Sequence, residues 1–381
     1  MSSELALALA GAASLLAWLV IAVRPARSWD LQPTAEDEPP PPEPVAWPRV
    51  CVLVPAHNEQ EYVPHTLPHL LAQDYPGEWE VVLVDDRSDD ETANVARTLG
   101  GEQVTVIRGK PLRRGWAGKV WALAQGAQLA GTAKYLLLTD ADISHAPGSL
   151  RRLVAESEAA GLALNSRMAR LRTSSAAERL LIPPFLFFFN LLYPMRRVNG
   201  PRRMAAAAGG CVLLGTAALE GIGGFSAIAG EVIDDVNLAL AVKKVGGPIR
   251  LSVSRIDVIS VREYGTIGPI WRMVRRSAFD QLGYSWPLLA GTVAGLALLF
   301  LVPPGVLTMA VTPAVAADWR VPLAAIGAAG WAIMTLVFLP TVRLLGVRAL
   351  WALSFPLGGL LYGAMAVDSA ILHTAGRPAR W

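Results

Sequence analysis

Cysteine is scarce in this chain, with two residues among 381. Cys51 falls in a predicted buried strand and Cys211 follows Gly209-Gly210, so their spacing fits neither a metal site nor a redox pair. Both classes of cysteine chemistry are therefore excluded. Reduced thiols in a cytosolic compartment are the simplest interpretation.

Charged side chains are also few. They make up 17% of the residues against 53% that are hydrophobic, and the mean hydropathy of +0.38 is too high for an ordinary soluble enzyme. The formal net charge is only +3. No recognition motif accompanies the basic residues, which argues against nucleic-acid binding.

Arginines are nevertheless clustered near apolar segments, at 196–197, at 202–203, and at Arg272, Arg275 and Arg276. Such clusters suit anionic lipid headgroups or phosphate. Ordinary cytoplasmic flanks of membrane helices explain the first two pairs equally well. We expect Arg272, Arg275 and Arg276 to contact the acceptor or a phosphate.

Long hydrophobic runs lie at both ends of the chain, at residues 5–23, 287–311, 321–339 and 350–372. Each approaches the roughly 20 residues that a helix needs to cross a bilayer. No cation precedes the first run, so an N-terminal membrane anchor over residues 1–28 is favoured over a cleaved signal peptide.

The arginines beside these runs predict the membrane topology. Arg24 and Arg27 follow the first run, which favours a cytoplasmic location for the residues after it. We therefore expect a multi-pass protein of the inner (cytoplasmic) membrane, with its catalytic domain on the cytoplasmic side and its last helices within residues 284–381. Arg377 and Arg380 would then lie outside, against the same tendency.

A phenylalanine-rich segment at residues 180–196 interrupts the region between the membrane runs. It is too short to span a bilayer comfortably, so we predict an interfacial or re-entrant segment. A core helix is the alternative. The phenylalanines are expected to admit an apolar acceptor at the bilayer surface.

The pattern of the chain changes after the proline-rich linker at 29–48, which is expected to be an extended tether without a core. Short apolar runs then alternate with helical stretches across a domain at 49–283. This rhythm predicts an α/β fold with a mainly parallel sheet covered on both faces. The expected strands are residues 50–54, 80–84, 104–107, 135–139 and 162–166.

Acidic residues follow two of these strands. Asp85-Asp86 ends one and Asp140-Ala-Asp142 ends another, so their carboxylates should meet at the edge of the sheet where ligands bind in such folds. Asp140 and Asp142 alternate along extended backbone and point to the same side. They suit a divalent metal, Mg²⁺ or Mn²⁺, which takes one or two carboxylates beside substrate phosphates. Asp is also common in turns after strands, which is the alternative explanation.

Two further groups complete the predicted site. Lys119 opens a helix and could reach a diphosphate or remain solvated; the segment is not a P-loop, because Arg113 and Val120 stand at required positions. Asp234-Asp235 opens another helix, where one carboxylate is expected to cap. The other would act as a base, since adjacent carboxylates raise each other's pKa. We favour Asp235 as the base, supported by Asp234.

Together these motifs resemble the inverting nucleotide-sugar glycosyltransferases of family 2. The similar stretches are 52–59, 82–92, 118–126, 139–142, 208–214 and 233–240. A closer resemblance, to the hopene-associated glycosyltransferase subgroup, is carried by 111–122, 136–143, 208–211 and 272–278. It implies a GT-A fold flanked by one N-terminal and about three C-terminal transmembrane helices. It also implies a nucleotide-sugar donor, in particular a UDP-sugar, and a connection with hopanoid lipids.

The resemblance also implies roles for individual residues. Asp86 would contact the nucleotide, Asp140 the ribose or the metal, Asp142 the metal, and Asp235 would be the base. The nucleotide-sugar site would further include Lys119 and, after the first strand, Pro55 and Glu59. Arg272-Met-Val-Arg-Arg276 lacks the Gln and Trp of the Q-x-x-R-W motif, which argues against a polymer synthase.

The sequence therefore predicts transfer of a single sugar from a nucleotide-diphosphate sugar to a lipid hydroxyl, with inversion. A nucleotidyl or phosphoryl transferase would use the same acids and metal but would leave Asp235 without a task. A non-catalytic membrane scaffold is the third alternative, and the intact acidic motifs disfavour it.

Overall fold

The computed structural model describes residues 2–24, 27, 29–201 and 203–376. Three arginines named above lie outside these residues. They are Arg202, from the cluster at 202–203, and Arg377 and Arg380, from the predicted membrane topology. The strands are β1 Val50–Ala56, β2 Trp79–Asp85, β3 Val104–Arg108, β4 Tyr135–Thr139, β5 Ile143–His145, β6 Leu164–Met168, β7 Cys211–Gly215, β8 Ile249–Val253 and β9 Val258–Ser260. The α-helices are α1 Ser3–Val23, α2 Val63–Leu71, α3 Thr92–Gly100, α4 Gly118–Gly126, α5 Ser149–Ala160, α6 Ala176–Leu192, α7 Met195–Val198, α8 Thr216–Gly221, α9 Asp234–Lys244, α10 Ile267–Ser277, α11 Trp286–Leu296, α12 Val302–Ala310, α13 Ala317–Leu344 and α14 Phe355–Thr374.

The chain divides into two compact units. The sheet unit comprises Gln32–Arg172 and Met195–Glu263. The helical unit comprises the described residues up to Leu31, Thr173–Pro194, and the described residues from Tyr264 onward.

The sheet unit contains a seven-stranded sheet in the order β3-β2-β1-β4-β7-β6-β8. Strands β3, β2, β1 and β4 run parallel, whereas β7 is antiparallel to both of its neighbours. All seven residues of β1 and all five of β4 are buried, as expected for strands covered on both faces. The predicted mainly parallel α/β sheet is confirmed, and the carboxyl ends of β1, β2 and β4 meet at one edge.

A second, two-stranded sheet pairs β5 with β9 in antiparallel register. Strand β5 begins directly after Asp142, and Ile143 lies opposite Ser260. No pattern in the sequence indicated this ribbon. Its pairing brings residues 258–263 to the acidic edge of the large sheet.

The linker differs from the predicted free tether. Thr34 forms a parallel bridge with Val253 on the edge strand β8, and Ala35 is fully buried. The Arg152 guanidinium also donates to the backbone oxygens of Ala35 and Glu38, at 2.5 and 2.7 Å. Polar contacts hold this segment, so the absence of bulky apolar residues does not leave it free.

The candidate membrane helices lie mainly in the helical unit. Five helices in the described residues are long and apolar enough to cross a membrane: Ser3–Val23, Ala176–Val198, Trp286–Ala310, Ala317–Leu344 and Ala349–Thr374. The N-terminal helix and three C-terminal helices match the predicted runs. The additional candidate contains the phenylalanine-rich segment.

The phenylalanines of α6 pack mainly inside this unit. The Phe187 side chain is only 1% exposed, and its ring contacts those of Trp18, Phe338 and Phe355. Phe187 is therefore part of an aromatic core and is not available to an acceptor, contrary to the role expected for the whole segment. Phe185 and Phe189 remain partly exposed.

Candidate active site

Loops after β1 and β2 are tied together at the carboxyl edge of the sheet. His57 Nδ1 lies 2.9 Å from the Asp86 backbone oxygen, and the Asn58 N–H donates to Ser88 Oγ at 2.9 Å. Asn58 and Arg87 both adopt left-handed backbone, with φ of 56° and 57°. Such conformations persist where neighbouring contacts enforce them, and they are frequent at ligand sites.

Asp86 offers an acceptor at this edge. Its side chain is buried, and its Oδ1 has no hydrogen-bond partner among the described residues. Burial raises the pKa of Asp86, and nearby His57 and Arg87 oppose the shift. A buried carboxylate oxygen without a partner is costly, and a donor group of a bound ligand would satisfy it.

Lys119 connects the acids after β4 with those of α9. Its Nζ lies 2.6 Å from Asp140 Oδ1 and 3.8 Å from Asp234 Oδ2. Burial lowers the pKa of Lys119, but the two carboxylates outweigh it, so the net shift is upward. The lysine is therefore a fixed cation between two acids, and not the solvated residue of the alternative interpretation.

Asp142 is held by residues that the sequence analysis missed. Arg262 Nε lies 2.9 Å from Asp142 Oδ2, and Ser260 Oγ donates to the same oxygen at 3.0 Å. The Arg262 guanidinium also binds both oxygens of Glu59, at 2.6 and 2.7 Å, and lies over the Tyr62 ring. Burial raises the pKa of Glu59 to about 7, although Arg262 acts in the opposite direction. Glu59 and Asp142 are thus linked by hydrogen bonds to the same guanidinium, that of Arg262.

Two backbone N–H groups hold Asp235, and its pKa is raised. The Gly209 N–H donates to its Oδ2 at 2.7 Å, and the Val236 N–H donates to its Oδ1 at 2.8 Å. Burial and the neighbouring Asp234 raise the pKa of Asp235 to about 6, while Lys119 opposes the shift. An acid with such a pKa is largely ionised near neutral pH and can still accept a proton.

The predicted helix cap at this position is wrong in detail. Ile233 is the N-cap residue that precedes α9, and no side chain caps the helix there. Asp234 lies in the first turn and approaches Lys119 instead. Both carboxylates therefore belong to the site, near the positive end of the helix dipole.

A buried histidine supports the end of β4. His145 Nε2 lies 2.8 Å from Thr139 Oγ1, which donates to the Gly210 oxygen at 3.0 Å, and its Nδ1 lies 3.1 Å from Ser149 Oγ. Burial lowers the pKa of His145 to about 4, so the ring is neutral. This chain of contacts connects Thr139, next to Asp140, to the glycine turn that binds Asp235.

The acids fit a divalent cation only in part. No group of three His, Cys, Asp or Glu side chains in the described part of the chain is arranged to hold a metal. Asp140 and Asp142 each bind a protein cation through one oxygen, which leaves the other available. Two such oxygens suit an ion that completes its coordination with substrate phosphates and water.

The remaining predicted residues lie elsewhere. Pro55 is buried within β1, opposite Val84 in the neighbouring strand. Arg272, Arg275 and Arg276 lie on α10 of the helical unit, where Arg275 forms an ion pair with Asp368 at 3.2 Å. Their binding roles stay predictions.

Comparison with known proteins finds a family match for the part of the chain that contains Glu59, Asp86, Lys119, Asp140 and Asp142. Residues 51–223 match the family model described as glycosyl transferase family 2. These residues are similar to family 2 glycosyltransferase domains, and Asp234, Asp235 and Arg262 lie beyond the matched range. The chain is 34% identical over 95 residues to 4,4'-diaponeurosporenoate glycosyltransferase of Staphylococcus aureus, which is 25% of this chain and 24% of the relative. The match thus spans about a quarter of the length of the curated relatives.

A solved structure supports the GT-A fold of the family 2 domain. It is a mannosyltransferase from Pyrobaculum calidifontis in complex with GDP-Man and Mn²⁺, with a TM-score of 0.56 and 21% identity. The superposition covers 98% of this chain and 99% of that one. At this identity the similarity concerns the fold.

Proposed function

We propose that this protein transfers a single sugar from a nucleotide-diphosphate sugar, in particular a UDP-sugar, to the hydroxyl of a membrane lipid. The observation that carries the proposal is the position of Lys119, whose Nζ lies 2.6 Å from Asp140 and 3.8 Å from Asp234. It joins the acids expected to handle the donor to the pair that contains the expected base.

On the donor side, the unpartnered Asp86 oxygen would accept a hydrogen bond from the nucleotide. Asp140 and Asp142 would hold the divalent cation, Mg²⁺ or Mn²⁺, and Arg262 would keep Asp142 in place. A bound divalent cation supplies charge that stabilises the departing diphosphate. We expect Glu59 to act through its two hydrogen bonds to Arg262.

On the acceptor side, Asp235 would remove the proton of the lipid hydroxyl as its oxygen attacks the anomeric carbon. The bond between that carbon and the diphosphate breaks, the nucleoside diphosphate leaves, and the proton stays on Asp235. This direct displacement inverts the anomeric centre. The Gly209 N–H at 2.7 Å fixes the direction of the carboxylate.

The topology of the sheet supports an acceptor from the membrane. Helix α6 lies between β6 and β7, which pair with each other in one sheet. If α6 crossed a bilayer, these strands would lie on opposite sides, so we infer that α6 enters and leaves on the same side. With Arg24 after α1, that side is the cytoplasmic one, as the inner-membrane topology requires.

Two resemblances indicate the class of the acceptor. The Staphylococcus aureus relative is named for 4,4'-diaponeurosporenoate, which favours a lipid-like acceptor. The motif resemblance favours a hopanoid. Arg272, Arg275 and Arg276 are then proposed to meet the acceptor or a phosphate.

The test uses the full chain in lipid bilayers with Mg²⁺ or Mn²⁺, a panel of nucleotide sugars and hopanoid alcohols. Mass spectrometry should detect a glycosylated lipid together with a nucleoside diphosphate. Pyrophosphate release would instead indicate nucleotidyl transfer. Absence of both binding and turnover across the panel would favour a scaffold.

Two variants separate the donor and acceptor roles. Asp142→Ala should abolish donor turnover, whereas Asp235→Asn should lose turnover and keep donor binding. Glu220→Gln, which changes an exposed acid on α8 of the same unit, is the control. Loss of donor binding in Asp235→Asn would contradict its assignment as the base.

A further inference from the structure

Glu36 of the linker occupies an anion-binding turn on the sheet unit. Its Oε1 accepts hydrogen bonds from Ser254 Oγ at 2.6 Å and from the N–H groups of Arg255, Ile256 and Asp257 at 2.8, 3.0 and 3.1 Å. Successive backbone N–H groups of this kind form a concavity that favours a negative charge. The carboxylate therefore fixes the conformation of the turn at 254–257.

The same turn determines where β9 begins. Ser254 Oγ donates to Glu36 and accepts the Val258 N–H at 2.8 Å. From Val258 the chain runs along β5 to Ser260, and the Val261 N–H then donates to the Asp142 backbone oxygen at 2.9 Å. Only a few residues thus separate the Glu36 contact from the residues that hold Asp142.

The ribbon formed by β5 and β9 needs such support. Each strand has three residues, and an isolated two-stranded pair is marginally stable at best. A shift of β9 would move Ser260 and Arg262 away from Asp142, and Arg262 away from Glu59. Contacts outside the ribbon must therefore hold its register. Arg170 forms a parallel bridge with Ile259 of β9, and the turn bound by Glu36 fixes the residues that precede β9.

We propose that Glu36 is a positioning residue of the active site, which acts through the 254–257 turn to hold Ser260 and Arg262 against Asp142. This inference rests on the proposed function. The low pKa of Glu36, about 2, is consistent with it: burial raises the pKa, but the hydrogen bonds from Ser254, Ile256 and Asp257 outweigh burial. Glu36 also lies before residues 51–223, the part that matches the family model.

The linker provides a matched control. Glu38, two residues after Glu36, forms an ion pair with Arg250 on β8. Glu38→Gln removes one anchoring charge of the same segment and leaves the Glu36 contacts in place. A general loosening of the linker would affect both variants, whereas a specific role concerns Glu36 alone.

The experiment is a double-mutant cycle in the full chain, with Glu36→Ala, Arg262→Ala and both together. We expect Glu36→Ala to lower kcat/KM for the donor roughly 10- to 100-fold, the loss that a displaced group causes. In the Arg262→Ala background it should cause little further loss, and Glu38→Gln should stay close to the unsubstituted protein. Equal losses from Glu36→Ala in both backgrounds would overturn the proposal.

Hydrogen exchange provides a second readout that does not require turnover. Glu36→Ala should speed exchange across residues 254–263, and Glu38→Gln should not; unchanged exchange in Glu36→Ala would also overturn the proposal. If Glu36→Ala does not fold, Glu36→Gln keeps an acceptor oxygen without the charge and should show a smaller effect of the same kind. Lack of turnover in the unsubstituted protein would contradict the proposed function. The exchange measurement would still test the role of the Glu36 contact, because it does not require turnover.

Discussion

The raised pKa of Asp235 predicts a loss of activity on mild acidification. A base must be ionised to accept a proton, and burial together with Asp234 raises this pKa from 3.8 to about 6. With a pKa of 6, about one Asp235 carboxyl in eleven is ionised at pH 5. With the usual pKa of Asp, more than about nine in ten would be ionised at the same pH. We therefore expect kcat/KM to fall about tenfold between pH 7 and pH 5.

The assay measures kcat/KM, at donor and acceptor concentrations below saturation, across this pH range. Glu59 requires a control, because its pKa is raised to about 7 and it holds Arg262 only when ionised. Repeating the titration in Glu59→Gln isolates the contribution of Asp235. Circular dichroism at each pH would confirm that the protein remains folded.

The neighbours of Asp235 test the physical cause. Asp234→Asn removes a like charge and should move the midpoint of the pH profile to lower pH. Lys119→Met removes a cation that favours the ionised form, so the midpoint should move to higher pH. A profile that stays flat down to pH 5, or shifts of the same sign in both variants, would refute this account.

Three further predictions follow from described contacts. Asp235→Asn should raise the free energy of unfolding at pH 8 by up to about 3 kcal/mol, because ionisation of a carboxyl with a raised pKa costs stability. Thermal unfolding should show this gain disappearing as the pH falls through 6 toward 4. Glu156→Gln should lower the free energy of unfolding by about 3–5 kcal/mol, because it leaves the buried guanidinium of Arg167 without its charged partner. An unchanged Tm in the same assay would contradict this. Gly209→Ala should reduce kcat with little change in Tm, because the added Cβ would lie 3.0 Å from Lys119 Nζ and 3.3 Å from Asp235 Oδ2. Full activity of this variant would show that the turn adjusts.

The sheet and its acids were predictable because buried parallel strands leave a strong local signal. The apolar runs before Asp86 and Asp140 became β2 and β4, and the acids lie at their carboxyl ends. Lys119 was predicted at the start of a helix, but its position between Asp140 and Asp234 depends on how distant strands pair.

The missed features depend on contacts that leave no pattern along the chain. Arg262 reaches Asp142 because β9 pairs with β5, and strands of three residues are too short to show a period. The linker carries no apolar stripe, and its polar contacts to Val253 and Arg152 cannot be inferred from proline content. Phe187 looked like an acceptor contact because sequence alone does not distinguish a membrane-facing ring from one buried among other rings.

The strand order also constrains how the protein is made. Strand β7, between β4 and β6, is synthesised only after α6, so newly made β6 has no neighbour in the large sheet until the ribosome has passed the phenylalanine-rich helix. The large sheet can therefore close only after that helix has been synthesised. A gene truncated after Arg172 would leave β6 without either of its partners, and it should yield an aggregating fragment instead of a smaller working enzyme.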